Sequence, residues 1–331
     1  MADQSRQSDK EHPHVEAVQI EGLVALKIIR HCYEEGPSEI AQGVLLGLVV
    51  DKKLEITNCF PFPRSEDDES SEVQYQMEMM RKLREVNVDH LHVGWYQSTY
   101  LGSFLNKNFV EAQYNYQSSI EESVVLVYDP LKTLQGMLSF KAYRLTPLLM
   151  ELYRSGEKAF TPDGLAKRGV SYDNLFEEVP VIIKNSNLAC ILLCEIEEMS
   201  NIKDKDSFLS LATGSYLEKS VQLLMEGADE LCQDAQKLHN YQRNNSRQQQ
   251  QIDGYKAKRA AENDQRIKRG EQPLPEEDMT KVFRPIPPPS RLDNTLVNSQ
   301  INNYCQELTQ FASQSFTKLY MAEAIQSTQQ K

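Results

Sequence analysis

The chain has a single tryptophan, no Cys-x-x-Cys pair, no phosphate-binding glycine loop and no apolar run of membrane-spanning length. Its longest unbroken apolar run, Gly43 to Val50, is far short of the roughly 20 residues that cross a bilayer, so no membrane partner is expected. Six cysteines, at 32, 59, 190, 194, 232 and 305, are scattered and spell neither a disulfide framework nor a zinc finger. They are read as reduced thiols of a cytosolic protein, with Cys190 and Cys194 in LACILLC serving as small buried hydrophobes. Neither G-x-x-x-x-G-K-[ST] nor G-x-G-x-x-G occurs, so nucleotide hydrolysis has no foothold. Cations are scarce, 36 against 48 acids for a formal charge of −12, and this excludes a surface built to coat nucleic acid broadly.

Histidine is sparse as well. His90-x-His92 would project two imidazoles to one face of a strand, but the sequence places no acid or cysteine beside them. For His12, His14, His31 and His239 the sequence assigns no nucleophile or carboxylate for triad chemistry, and they are read as structural or surface residues.

What is present begins with a polar tail over residues 1–14, expected to be disordered. Val15, Val18 and Ile20 suggest a short strand, followed by a helix with Leu23, Leu26, Ile28 and Ile29 on or near one face. GVLLGLVV and LEITNCFPF, joined at Asp51-Lys52-Lys53, read as a hairpin whose first strand is buried on both faces. An acidic loop from Arg64 to Glu72 precedes a helix from Tyr75 to Val86, with Met77, Met80 and Leu83 as its core stripe. A strand from His90 to Gln97, a helix near Lys107 to Ser118, and the β-rich runs SVVLVYD and MLSFKAYRLT complete a mixed α/β region.

Beyond residue 200 the pattern becomes that of long helices. Leu217, Val221, Leu224, Ala228, Leu231, Ala235 and Leu238 alternate by four and three, which makes an apolar seam. Val297, Ile301, Tyr304, Leu308 and Phe311 mark a second. Two helices with one seam each either pack as a hairpin or join helices of other chains. Between them the charged and proline-rich stretch near 243–290, ending in RPIPPPS, is expected to be flexible. Its cations, Arg243 to Arg269, read first as a solvated helix or flexible arm and second as a contact to ribosomal RNA phosphates; direct RNA contact is left open.

The segment HVGWYQSTYLGSFLNKNFVEAQ, from His92 to Gln113, resembles the centre of the MPN/JAMM metalloprotease family. Active members carry GWYHSHP, then a serine and an aspartate on the next helix. Two histidines and the aspartate hold zinc there, and the serine and an upstream glutamate assist a water. The resemblance puts Gln97 and Thr99 at the histidines, Lys107 at the serine, Val110 at the aspartate and Ile40 at the glutamate. Glu39 is one residue away and on a strand would face the opposite side. No catalytic, cofactor-binding or metal residue is therefore assigned, and no cofactor is expected.

The longer runs VEAVQIEGLVALKIIRHC, QGVLLGLVVDKKLEITNCFPFP and VVLVYDPLKTLQGMLSFKAYRLT are similar to the family of h subunits of eukaryotic translation initiation factor 3. That resemblance implies an MPN domain over residues 15–200, with its core in 15–150 and a central mixed sheet flanked by helices. It also implies a C-terminal helical region over 201–331 that joins a multi-subunit helical bundle. The implied role is a non-catalytic, cytoplasmic scaffold subunit that supports assembly on the small (40S) ribosomal subunit and recruitment of mRNA. Its implied partners are the other subunits of that factor, above all a second MPN subunit, f. Partner binding is expected at Leu217, Val221, Leu224, Leu231, Leu238, Val297, Ile301, Tyr304, Leu308 and Phe311. The alternatives are an inactive MPN subunit of a proteasome-lid or signalosome complex, or an isopeptidase with a rearranged site.

Overall fold

A computed structural model describes residues 15–36, 39–63, 69–86, 91–156, 160–199, 211, 213–270, 272 and 282–329. The chain opens with β1 (Ala17–Glu21), α1 (Gly22–Glu35), β2 (Gln42–Val50), β3 (Lys53–Pro61) and α2 (Glu69–Glu85). It continues through β4 (His92–Ser98), α3 (Lys107–Ser119), β5 (Val124–Tyr128), α4 (Pro130–Leu134), β6 (Phe140–Leu145) and α5 (Pro147–Arg154). After α6 (Pro162–Arg168), β7 (Phe176–Val179), β8 (Val181–Lys184) and α7 (Asn187–Met199) come two long helices, α8 (Thr213–Lys268) and α9 (Leu292–Gln329).

All eight strands form one mixed sheet in the order β7-β6-β5-β4-β2-β3-β1-β8. The β2/β3 hairpin turns on Asp51 and Lys52, both with positive φ (46° and 65°), the geometry that matches the twist of paired strands. Alternation along β5 sends Val124, Leu126 and Tyr128 into a core beneath α1, and Val125 and Val127 into a second core beneath α3. A break in register between β2 and β4, where Leu45 pairs with Gly94 and Leu46 with His92, lets Val93 and Trp95 serve opposite faces.

The mixed sheet, its flanking helices and the long C-terminal helices agree with the expected architecture, with several local corrections. The face that α1 buries is Val24, Ala25, Ile28 and Cys32, whereas Leu23 and Leu26 are exposed. β2 is buried on both faces only as far as Gly47, and Val49 and Val50 reach water. Helix α2 starts at Glu69, inside the expected loop. Met79, Met80 and Leu83 pack on Val44, Leu46 and Phe60, while Met77 is exposed. Cys190 and Cys194 are exposed on α7. The stretch from 243 that was expected to be flexible is helical to Lys268, since its Gln, Lys, Arg and Ala content favours helix and no proline intervenes. The N-terminal tail and His90 lie outside the described residues. Among the described residues no helix is long and apolar enough to cross a membrane.

Candidate functional site: the motif groove and the C-terminal helix that closes its loop

The groove at the expected active-site position encloses ≈ 580 Å³ between the end of α1, the start of β2, β4 and α3. On its floor the indole of Trp95, 3% exposed, donates from Nε1 to Gln113 Oε1 at 2.9 Å, and Gln113 donates on to the carbonyl of Ser123. Phe109 packs against the indole with ring centres 5.4 Å apart. Gln97 is buried and its Oε1 accepts from Gln42 Nε2 at 3.2 Å. At the rim, His31 approaches the Tyr96 hydroxyl through Nδ1 (2.9 Å) and Glu35 through Nε2 (3.4 Å).

Ile40 and Gln97 line this groove as expected, but Thr99, Lys107 and Val110 do not. Thr99 is turned inward and its backbone N–H bonds the carbonyl of Tyr128. Lys107 lies on the exposed side of α3 and pairs with Glu111 at 3.6 Å. Val110 is fully buried in a different core, with Leu145, Leu149, Leu152, Leu292 and Leu296. From α3 the groove is lined by Asn108, Phe109, Ala112 and Tyr116, with the cap Asn106 before them; Asn106 and Phe109 share the three-residue spacing of the expected pair but sit one position earlier. Asn106 is the helix cap, its side-chain oxygen accepting from Phe109 N at 2.7 Å, and this sets the phase of the whole helix.

The donor set does not fit a zinc ion. Ile40 and Phe109 offer no ligand atom, the carbonyl oxygens of Gln97 and Asn106 are already engaged, and His31, Glu35 and Glu39, which also line the groove, do not converge on one point. Among the described residues no three His, Cys, Asp or Glu side chains stand close enough to hold a metal.

The strongest polar construction lies just beyond the motif, where the loop 100–105 meets α9. Gln300 accepts from the backbone N–H groups of Phe104 and Leu105 (3.3 and 2.9 Å) and donates to the carbonyl of Gly102 at 2.7 Å. Asn303 donates to the same carbonyl at 2.8 Å. One turn on, Glu307 pairs with Lys132 and, at 3.4 Å, with Lys141. Gly102 is held at φ +73°, and a Cβ there would stand 3.0 Å from Asn303 Nδ2. Asp129 completes the cluster: it caps α4 by accepting from Leu131 N, and burial pushes its carboxyl up to about 6 against the pull of Lys132. None of these roles was foreseen. The available signal was the run Leu292, Leu296, Gln300, Asn303 and Glu307, a second helical stripe beside the apolar one.

The seam residues divide. Val297 and Ile301 meet α8 at Gly227, where a Cβ would stand 3.1 Å from Ile301, and Phe311 stacks on Tyr216 with ring centres 4.4 Å apart. Tyr304 is buried and Leu308 is partly so. Among the described side chains of α8 the buried ones are Tyr216 and Ser220, one residue before the expected seam, so Leu217 and Val221 remain 47% and 42% exposed. Leu224, Leu231 and Leu238 are half-buried. Asp234 pairs with Arg291 at the base of the hairpin.

A mixed eight-stranded sheet, a groove between its second and fourth strands and α3, and a following helical hairpin define a protein of the MPN class. The family profile described as "JAB1/Mov34/MPN/PAD-1 ubiquitin protease" matches residues 13–122, and that described as "C-terminal region of eIF3h" matches residues 133–331. The H subunit of eukaryotic translation initiation factor 3 from Nematostella vectensis is 56% identical, covering 96% of this chain and 97% of that protein. The H-B subunit from Danio rerio is 58% identical over 94% of each chain, and the H subunit from Aedes aegypti 51% identical over 95% of this chain and 93% of its own length. The chain belongs to the family of H subunits of eukaryotic translation initiation factor 3.

Proposed function

We propose that this protein is a non-catalytic subunit of eukaryotic translation initiation factor 3 that acts in the cytoplasm as a scaffold. The observation that carries the absence of catalysis is the chemistry of the groove. The places the MPN/JAMM resemblance gives to the glutamate and the two histidines hold Ile40, Gln97 and Thr99, with Thr99 turned out of the groove, and where the resemblance puts Lys107 and Val110 for serine and aspartate the groove is met by Asn106 and Phe109. An alkyl group, an amide already bonded and a phenyl ring can neither hold a metal nor activate water.

Scaffolding is supported by what the fold leaves uncovered. Helix α7 exposes Leu188, Ile191, Leu192, Leu193 and Ile196, with Leu188 at 77% and Ile191 at 64%. Helix α1 exposes Leu23, Leu26 and Tyr33. Parallel pairing of β1 with β8 starts both helices at one edge of the sheet, and Asn185 Oδ1 accepts from Gly22 N at 2.9 Å to tie the two starts together. This edge is the surface offered to the second MPN subunit, f. Leu217 and Val221 on α8 form the surface offered to helices of other subunits, and binding to the 40S subunit and mRNA recruitment follow through the complex.

Gentle purification of the tagged chain from its native cytoplasm, with mass spectrometry of near-stoichiometric partners, tests the reading. Recovery of initiation-factor 3 subunits is expected; recovery of proteasome-lid or signalosome subunits would overturn it.

A further inference from the structure

The far half of α8 carries the one strongly basic region of an acidic chain, eight cations against three acids between Arg243 and Arg269. Folding this stretch as a helix sorts those charges. At 3.6 residues per turn, Arg243, Arg247, Lys258, Lys268 and Arg269 fall within about 100° of one another around the axis, along a rod about 39 Å long. All five are exposed. The half-buried residues Gln248, Ile252, Tyr255 and Arg259 mark the opposite face, which meets the returning chain through a Tyr255–Phe283 ring contact and a bond from Gln248 to the carbonyl of Arg284. The basic stripe therefore points away from the rest of the molecule. Asp253 and Asp264 lie about a right angle or more from its centre, and Glu262 sits at its edge. Within the described residues none of the five stripe cations is engaged in an ion pair, although several other exposed cations of the chain are.

We infer that this stripe is a binding surface for the phosphate backbone of double-helical RNA. A protein partner of this size needs an apolar anchor at its centre, and the stripe has none: between its cations stand Gln250, Gly254 and Gln265. Single-stranded RNA is held by stacking on aromatic rings, and the stripe has no ring either. A straight, rigid line of guanidinium and ammonium groups, interleaved with amides that can bond 2′-hydroxyls, suits an RNA duplex read by shape and backbone. The charge of the remaining chain confines the contact to this face by repelling phosphate elsewhere.

The test uses the full-length protein and a fluorescein-labelled RNA hairpin of about 20 base pairs, followed by anisotropy between about 50 and 200 mM KCl. A variant with Arg243, Arg247, Lys258, Lys268 and Arg269 all changed to Gln keeps helix propensity. It is expected to bind at least about tenfold more weakly at the lowest salt, with the slope of log K against log salt shallower by about three or more. A control changing five exposed cations outside α8, Lys53, Arg84, Arg154, Lys167 and Lys184, to Gln removes the same charge and is expected to bind within about threefold of the parent. Absence of RNA binding by the parent, equal losses in the two variants, or an unchanged slope in the stripe variant would each overturn the inference. So would preferential capture of poly-glutamate over the hairpin at equal charge, which would assign the stripe to an acidic protein.

Discussion

Helices α7 and α9 invert the usual relation between apolarity and burial. α7, NLACILLCEIEEM, is the more apolar helix and stands in water along nearly its whole length. The stripe of α9 that is buried against the sheet domain includes Gln300, Asn303 and Glu307, and these polar groups are shielded because each finds a partner. Burial within the chain thus follows complementarity at the loop 100–105, where backbone N–H and C=O groups wait for donors and acceptors of matching geometry. Apolar surface left over after those pairings are made is the surface proposed above for another chain.

The largest effect that would break this contrast is expected at Gln300. Gln300→Ala strands the amides of Phe104 and Leu105 in a buried loop and costs about 2–4 kcal/mol. Trp95, the only tryptophan, reports unfolding of the sheet domain by fluorescence in urea. If α9 were an independent module the indole transition would not move. Gly102→Ala comes next, at about 1–3 kcal/mol, because a left-handed φ and the nearby Asn303 both resist a Cβ.

Asp129 sharpens the same comparison through pH. Its carboxyl, at about 6 in the folded chain, lies above its unfolded value, so its favourable contribution is complete below the unfolded pKa and is lost as pH rises through about 6. Asp129→Asn retains a cap oxygen for Leu131 and is expected to stabilise the protein at pH 7 by about 1–2 kcal/mol, with no gain at pH 4. Chemical denaturation at the two pH values measures the difference. The smallest effect on folding is expected from Ile191→Asp on α7, within about 0.5 kcal/mol in the isolated chain. The same substitution is expected to abolish co-purification of the second MPN subunit, and retention of that subunit would remove α7 from the interface.

Much of the sheet was legible in the sequence because its signals are local. Asp51-Lys52 between two apolar runs announces a hairpin, and the fully apolar VVLVY announces a central strand. The candidate site was legible only to within one residue. The motif spacing puts the serine and aspartate positions on α3, but the phase depends on whether Asn106 or Lys107 starts it, which a capping hydrogen bond decides. The seam on α8 was offset for a related reason: Gly227, which lets α9 approach, and the buried Ser220 carry no apolar signal, while the larger Leu217 and Val221 do. The polar face of α9 was invisible because Gln and Asn on a helix read as solvated until the opposing loop is known.

The docking of α9 also sets a timetable for synthesis. Leu292 and Leu296 complete the core that contains Val110 and Leu149, and Gln300 satisfies a loop whose own residues were made far earlier. The last strand of the sheet ends at Lys184, and at about 5–20 residues per second the ribosome needs roughly 6 to 23 seconds more to reach Gln300. During that interval α7, which follows the last strand, is made while the sheet still lacks one wall, so a partner that binds α1 and α7 can meet them before the domain is closed.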